Sequence, residues 1–268
     1  MSRLNDTFAK LNATGKTALV GFISAGDPDI RTSLNIVGAM FDGGLDILEL
    51  GVSFSDPTAD GDTIQRSSAR ALKAGITLAR VITMVREIRI SREQPIIIFS
   101  YINPVYHYGY EKFVRDAVDA GADGVLLVDM PFEEAGEFKQ ARDCVCTGND
   151  FALINIIAPT TKGVRLKAIA DGSEGFIYMI NRMGITGAGG VDAGAIKANA
   201  ARIKPLTDVP VCMGFGVSSP QDVEAIAAAG DGVVVGSLFE KTIEENIGLP
   251  ELPAIVGKIV RELKAPIA

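Results

Sequence analysis

The chain has 268 residues, of which 47% are hydrophobic and 22% are charged, and this composition predicts a globular protein with a large core. Its net charge of −7 argues against a nucleic-acid or anionic-membrane surface, and the sequence predicts neither a membrane-spanning helix nor a signal peptide. The three cysteines form no CxxC pair and no even disulfide set, which favours a cytoplasmic location.

Along the chain, short apolar strands alternate with amphipathic helices. The first predicted element is a helix over residues 2–13, in which Leu4, Phe8 and Leu11 share one face. Most of the later helical segments end in glycine, a common helix terminator. Eight strands are predicted, at residues 17–24, 45–50, 95–101, 124–129, 152–158, 175–180, 210–216 and 232–237.

Eight strand–helix repeats in a chain of this length predict a (β/α)8 TIM barrel, with its active site on the loops that follow the strands. A doubly wound open sheet is the alternative. No linker separates the repeats, so residues 1–268 are interpreted as a single domain. The barrel would carry an extra N-terminal helix and, because two helical segments follow the last strand, an extra short helix after strand eight.

The second predicted strand leads into ELGVSFSDPTADGDTIQ, residues 49–65, which is rich in carboxylates. Strand alternation places Glu49 on the face of Ile47; if that face is inward, burial raises the pKa of Glu49 towards the range useful for proton transfer. A carboxylate paired with a neighbour or hydrated at the rim is the alternative. Asp60 lies in a loop that can fold over the end of the barrel where the strands have their carboxyl ends. Two carboxylates in different environments suit general acid/base catalysis.

Glycine-bearing turns follow strands six, seven and eight, at residues 181–190, 214–218 and 235–237. Glycine lets backbone N–H groups approach an anion, and Ser237 adds a hydroxyl at the start of the extra helix. Such glycines can also serve only as tight turns, but three adjacent strand ends favour a phosphate site.

The chain has a single histidine, His107, which is predicted to lie in a solvated loop. Zinc sites with two or more histidines are therefore excluded, and no metal site is predicted.

Residues 49–65 resemble the signature ELGxPFSDPxADGPxIQ of the tryptophan synthase α subunit family. The likeness extends through FISAGDP, SYINPV, GVLLVDMP, NRMGITGA, GFGVSSP and VGSLFEK, from residue 22 to residue 241. The resemblance implies cleavage of indole-3-glycerol phosphate to indole and glyceraldehyde 3-phosphate, without a cofactor in this chain. It also implies an α2β2 complex, in which a β subunit binds pyridoxal phosphate and receives the indole.

The resemblance assigns roles to individual residues. Glu49 would be the general acid/base that protonates the indole ring and helps to deprotonate the glycerol hydroxyl. Asp60 would hydrogen-bond the indole N–H, and Thr186 would meet Asp60 when the site closes. The indole pocket would contain Phe22, Tyr101, Leu127 and Tyr178. The phosphate would bind at Gly187, Gly216, Gly236 and Ser237, and the β subunit would face Asp56 and Pro57.

Three positions depart from the family pattern, because Gly21, Ser53 and Asp62 stand where the family usually carries proline. Glycine and serine restore backbone freedom, which predicts an open loop after strand two that closes when the partner binds. Asp62 would also raise the pKa of Asp60 through its like charge. A non-catalytic regulatory subunit, a stand-alone indole-forming lyase and a sugar-phosphate isomerase are the alternative functions.

Overall fold

The computed structural model describes residues 2–146, 150–180, 193–214 and 216–268. Within these ranges eight parallel strands close into one barrel in sequence order, with the last strand paired to the first. The prediction of a TIM barrel is therefore confirmed, and the alternative of an open doubly wound sheet is wrong. The strands are β1 (Ala18–Ser24), β2 (Ile47–Gly51), β3 (Ile96–Ser100), β4 (Gly124–Leu127), β5 (Ala152–Ile157), β6 (Ile177–Ile180), β7 (Val211–Gly214) and β8 (Gly232–Val235).

Twelve α-helices accompany the strands in the described part of the chain, and two of them lie in each of the β2–β3 and β3–β4 connections. They are α1 (Arg3–Ala13), α2 (Ile30–Asp42), α3 (Asp62–Lys73), α4 (Leu78–Arg89), α5 (Ile102–Tyr108), α6 (Tyr110–Ala120), α7 (Gly136–Asp143), α8 (Gly163–Asp171), α9 (Ala193–Ile203), α10 (Pro220–Ala227), α11 (Ser237–Glu245) and α12 (Leu252–Lys264). None of the helices in these ranges combines the length and apolar character that a bilayer crossing requires.

The apolar side chains divide into an inner and an outer layer. Ile47 and Ile97 belong to the cluster inside the barrel, whereas Leu48 and Ile96 belong to the cluster between the strands and the helices. Because side chains alternate along a strand, each strand supplies both layers, which is why β1, β2, β4 and β8 are buried at every residue.

Helix α1 closes the amino-terminal end of the barrel. Ser2 caps the helix by accepting a hydrogen bond from the Asn5 N–H at 3.3 Å. The buried side chains of Leu4 and Phe8 join the inner cluster, and the Phe8 and Phe176 rings lie 6.1 Å apart. The prediction of an extra N-terminal helix is confirmed, and its effect is to fill the end of the barrel opposite the strand carboxyl ends.

Helices α11 and α12 both follow β8, as the sequence predicts. Helix α12 packs closely on α2, because a Cβ atom at Gly257 would lie 2.7 Å from the Ala39 carbonyl oxygen. Helix α12 is thus the helix that packs on the outside of the barrel after β8. The extra helix α11 is free to begin at the carboxyl end of β8, where it contacts both β1 and α3.

Candidate active site

Glu49 points into the barrel from β2. In the strand register it lies opposite Phe22 of β1 and Ile97 of β3, and its side chain is 0% exposed. Neither Oε1 nor Oε2 has a hydrogen-bond partner among the described residues. Burial raises the pKa of this carboxyl to about 8. At neutral pH the group is therefore mainly protonated, and its proton is available to a bound molecule.

Aromatic rings surround Glu49 because two glycines leave room for them. A Cβ atom at Gly51 would lie 2.6 Å from Cζ of Phe22, and one at Gly214 would lie 2.8 Å from the Tyr178 hydroxyl. Burial raises the pKa of Tyr178 well above its usual value, and the nearby Glu49 carboxyl adds to this shift. Phe22, Glu49 and Tyr178 therefore share the inside of the barrel near its carboxyl end.

Asp60 lies in the loop between β2 and α3 and shares a pocket with Phe22. Burial raises the pKa of Asp60 to about 6, and contact with Tyr101 partly offsets this increase. The charge of Asp62 is not among the causes of the shift. The Asp60 carboxyl also acts on the Tyr178 hydroxyl, as Glu49 does. Both carboxyls therefore lie near Tyr178, Glu49 within the barrel and Asp60 in the loop, although Glu49 and Tyr178 are not among the residues that line the pocket with Asp60.

The loop that carries Asp60 is held against the barrel mouth. The Ala59 N–H donates to the Tyr101 hydroxyl at 2.9 Å, and the Phe54 N–H donates to Oγ of Ser68 at 3.1 Å. The Phe54 and Tyr101 rings pack with their centroids 5.2 Å apart. This arrangement differs from the open loop that its composition predicts, because Tyr101 and Ser68 provide partners that the loop sequence alone does not reveal.

The pocket itself contains residues that the sequence reasoning missed. Its lining includes Phe22, Ser24, Gly51, Val52, Ser53, Asp60, Ile64, Ser68, Phe99 and Tyr101. The Phe22 and Phe99 rings meet edge to face at 5.1 Å. Strand alternation could have identified Phe99, since it lies two residues before Tyr101 in the third strand. Ile64 has no such signal, because it is brought to the pocket by the first turn of α3.

The placement of Leu127 in this pocket is wrong. Leu127 lies opposite Ser100 in the register and belongs to the outer layer, between the strands and the helices. Leu126 lies opposite Phe99 and belongs to the inner cluster instead. The side chains of a strand alternate, so an error of one residue moves a side chain to the opposite face.

Two of the three predicted phosphate turns are described at least in part. Gly216 has a φ of 65°, which favours glycine, and Gly236 caps the start of α11. The first intrahelical hydrogen bond of α11 runs from the Glu240 N–H to the Gly236 carbonyl at 3.1 Å, so the N–H groups of residues 237–239 precede it. A Cβ atom at Gly236 would lie 3.3 Å from Cβ of Phe22, which places this helix start beside the pocket. Thr186 and Gly187 lie outside the described residues.

The remaining predicted positions lie on the surface. Asp56 is exposed and Pro57 is partly exposed, in the same loop as Asp60. The Asp60 N–H donates to the Pro57 carbonyl at 3.1 Å, so this part of the loop forms a turn. His107 is exposed, but it lies in helix α5 rather than in a loop.

The structure explains two of the three departures from proline. A Cβ atom at Gly21 would lie 2.8 Å from Cδ1 of Leu45 and 2.9 Å from Cε of Met40, which occupy the space of a larger residue. Asp62 is the first residue of α3, where the helix dipole favours a carboxylate. Nothing in the structure explains Ser53, whose buried Oγ has no partner among the described residues.

Known proteins resemble this chain over its whole length. A family model described as the tryptophan synthase alpha chain matches residues 8–261. The tryptophan synthase alpha chain of Desulfosudis oleivorans is 50% identical over 265 residues, which cover 99% of this chain and 98% of that protein. That of Geotalea daltonii is 44% identical over the full length of both chains.

Solved structures give the same result. The crystal structure of tryptophan synthase subunit alpha from Legionella pneumophila superposes with a TM-score of 0.90 and 32% identity, covering 100% of this chain and 98% of that one. A chain in a structure of tryptophan synthase from Mycobacterium tuberculosis superposes with a TM-score of 0.88 and 34% identity, covering 99% and 98%.

Proposed function

The chain belongs to the tryptophan synthase alpha chain family, a family of carbon–carbon lyases that cleave indole-3-glycerol phosphate, and we propose that Glu49 and Asp60 carry out this cleavage. The observation that carries the assignment is the fully buried carboxyl of Glu49, which has no partner among the described residues and faces the aromatic interior of the barrel. A polar group without a partner is costly to bury, so its retention at this position indicates a chemical role.

Glu49 supplies the proton that starts the cleavage. Because its pKa is about 8, the carboxyl is protonated at neutral pH and can donate to the indole ring carbon that bears the glycerol side chain. The resulting Glu49 carboxylate then accepts the proton of the adjacent glycerol hydroxyl. The oxygen forms the aldehyde of glyceraldehyde 3-phosphate, the carbon–carbon bond breaks, and its electron pair neutralises the ring to give indole. Glu49 ends the reaction protonated, as it began.

Asp60 stabilises the charged ring between these two steps. Its pKa of about 6 leaves it ionised at neutral pH, so it can accept a hydrogen bond from the indole N–H as positive charge develops on the ring. Protonated Glu49 and ionised Asp60 coexist between about pH 6 and pH 8. This division of roles needs two different environments, and burial of Glu49 in the barrel and of Asp60 in the loop provides them.

Substrate binding divides between an aromatic pocket and a helix start. Phe22, Tyr101 and Tyr178 are proposed to hold the indole, with Leu126 in place of Leu127. The phosphate is proposed to bind at Gly216, Gly236 and Ser237, because the free N–H groups and the dipole at the start of α11 favour an anion. Thr186 and Gly187 stay predictions for the same two sites.

The alpha chain is the subunit of tryptophan synthase that works without a cofactor, and the family implies a β-subunit partner. An α2β2 assembly, pyridoxal phosphate in the β subunit, Asp56 and Pro57 at the interface, and a cytoplasmic location are further parts of the proposal. Residues 1–268 are proposed to act as one domain, since β8 pairs with β1 and α12 packs on α2.

A single assay tests the proposed function. The purified chain is incubated with indole-3-glycerol phosphate, alone and with a β subunit, and consumption of the substrate is followed. Slow cleavage alone and faster cleavage with the partner are expected. A chain that stimulates the β subunit but never consumes this substrate would be a regulatory subunit. Equal, high turnover with and without the partner would identify a stand-alone lyase.

A further inference from the structure

A cluster of buried polar side chains lies beside the pocket, between α11, α3 and the end of β1. Its centre is Glu240, one turn into α11, whose side chain is 0% exposed. Asp27 and Ser24 come from the end of β1 and the turn that follows, and Ser67 comes from α3; each of them is at most 3% exposed. The mechanism proposed above uses none of these side chains.

Glu240 joins α11, the helix whose start is the proposed phosphate site, to the end of β1. One oxygen of its carboxyl, Oε1, accepts a short hydrogen bond from the Ser24 N–H. Oγ of Ser24 is in turn hydrogen-bonded to Oγ of Ser67 at 2.8 Å, which connects the same point to α3. The other oxygen, Oε2, is buried and has no hydrogen-bond partner among the described residues, and the charge of nearby Asp27 acts on this carboxyl. Burial without a second partner favours the protonated, neutral form of the carboxyl.

Asp27 already has a cationic partner, which leaves the proton to Glu240. Arg70 of α3 donates from Nε and Nη2 to the two oxygens of Asp27, at 2.9 and 2.8 Å. Arg70 also donates from Nη1 to Glu244 at 2.7 Å, and Glu244 receives two further bonds from Arg66 at 2.8 Å each. Two arginines thus balance two carboxylates, and an ionised Glu240 would be a third, uncompensated negative charge.

We propose that Glu240 is a positioning residue for phosphate binding, whose neutral carboxyl bridges α11 to the Ser24 N–H of β1, beside Asp27, and thereby fixes the start of α11 at the barrel mouth. The inference rests on the proposed phosphate site at Gly236 and Ser237. Helix α11 has no side-chain cap at Gly236, so its first turn is located by contacts further along, and Glu240 provides a buried hydrogen bond that reaches β1. Through Ser67 and Arg70 the same cluster reaches α3, which begins directly after the Asp60 loop.

Ionisation of Glu240 at alkaline pH should break the bridge between α11 and β1. Burial, with a contribution from the charge of Asp27, raises the pKa of Glu240 to about 8. Below that pH the carboxyl is neutral and accepts from the Ser24 N–H without repelling Asp27, so the bridge is intact. As the pH rises through the pKa, the new charge faces Asp27 and Glu244, with Arg70 already shared between them, and α11 loses its attachment to β1. Phosphate affinity should therefore fall as the pH increases.

Binding of glycerol 3-phosphate, measured by calorimetry between about pH 7.5 and pH 9.5, tests this inference, because the phosphate is a dianion throughout that range. The measurements are made in a Glu49→Gln background, since Glu49 also has a pKa of about 8. With Glu240 present, the Kd is expected to rise about tenfold across the range, as a coupling of about one pKa unit requires. With Glu240→Gln, which accepts from Ser24 and carries no charge at any pH, the Kd should stay at its low-pH value.

Three further variants separate positioning from other effects. Glu240→Leu is neutral but cannot bridge, so its Kd at pH 7.5 should already be raised; a Kd equal to that of Glu240→Gln would show that only the charge matters and would overturn the inference. A flat profile with Glu240 present would overturn it as well. Glu245→Gln, an exposed neighbour on α11 paired with Lys241, is the matched control and should bind normally. Unchanged affinity in Gly236→Asp would instead show that the phosphate site itself is misplaced.

Circular dichroism spectra establish whether Glu240→Leu is folded. If it is not, the comparison of the Glu240 and Glu240→Gln profiles still decides the question, because these two proteins differ in one ionisable group and share the same hydrogen-bonding pattern.

Discussion

Glu49 and Glu240 are both fully buried, and burial raises the pKa of each to about 8, yet their surroundings differ. Glu49 faces aromatic rings, and neither of its oxygens has a hydrogen-bond partner among the described residues. Glu240 also has one oxygen without a partner among those residues, but its Oε1 accepts from the Ser24 N–H, in a cluster that two arginines balance. The comparison teaches that a similar pKa can serve two purposes: the unpartnered carboxyl is left free for a substrate, whereas the partnered one joins elements of the fold.

Both carboxyls reduce the stability of the fold at alkaline pH. Each has a pKa that is higher in the folded chain than in the unfolded chain, where it is near 4.5. The contribution of each neutral carboxyl to the free energy of unfolding is therefore fully present below pH 4.5 and is lost as the pH rises to about 8. A shift of this size corresponds to roughly 5 kcal/mol of unfolding free energy for each group, as an order of magnitude.

The largest effect should follow from removing the proton of Glu49. Glu49→Gln keeps the shape of the side chain but cannot deliver a proton to the ring, so turnover should fall at least roughly a hundredfold. Steady-state cleavage of indole-3-glycerol phosphate measures the loss, with Glu245→Gln as the exposed control. If Glu49→Gln retained a tenth of the activity, Glu49 would not be the residue that protonates the ring.

Phosphate binding should be the next most sensitive property. Gly236→Asp places a negative charge and side-chain bulk at the start of α11, 3.3 Å from Phe22, and should weaken glycerol 3-phosphate binding by more than about tenfold through like-charge repulsion. Calorimetry at neutral pH checks this result. Gly136→Asp, at the exposed first residue of α7, where a side chain meets open space, tests for a nonspecific effect of added charge and should leave the affinity intact.

The pH profile separates Asp60 from Glu49. The ratio kcat/KM should rise as Asp60 ionises near pH 6 and fall as Glu49 and Glu240 lose their protons near pH 8, giving a bell-shaped curve. In Asp60→Asn the curve should be lower and should lack its acid limb, while the alkaline limb stays. A persistent acid limb in Asp60→Asn would assign that limb to another group.

Stability should respond to the two glutamates with opposite signs. At pH 7, Glu49→Leu removes a buried polar group without a partner and should stabilise the fold by about 1–3 kcal/mol, whereas Glu240→Leu leaves the buried Ser24 N–H without its acceptor and should cost a similar amount. Urea unfolding of both variants measures the difference. Two changes of the same sign would mean that the hydrogen bonds of Glu240 do not distinguish it from Glu49.

The smallest effect is expected at the loop that carries Asp60. Asp62→Pro should stabilise the chain by less than about 1 kcal/mol, since proline at the first helical position loses no hydrogen bond but the favourable charge at the start of α3 disappears. The free energy of unfolding and the stimulation by a β subunit are measured together. A change in stimulation larger than about twofold would show that this position controls loop closure after all.

The barrel, the extra helices and the two catalytic candidates could all be predicted from the amino-acid sequence. The eight strands and α1 could be predicted because their apolar spacing has the period of a strand or a helix. Glu49 could be singled out because it interrupts a strand that is otherwise apolar, near its carboxyl end. These properties are local, and each can be read within about fifteen consecutive residues.

The folded barrel was needed to show which of the two alternating faces of a strand points inward and which distant residues meet. The same period of two predicts two faces for the strand that holds Leu126 and Leu127, and the register with Phe99 and Ser100 selects between them. Likewise Ser24 and Glu240 are 216 residues apart in sequence, and only closure of the barrel brings them into contact. A pKa depends on such surroundings, so the sequence could name Glu49 but could not show that Glu240 has a similar pKa for a different reason.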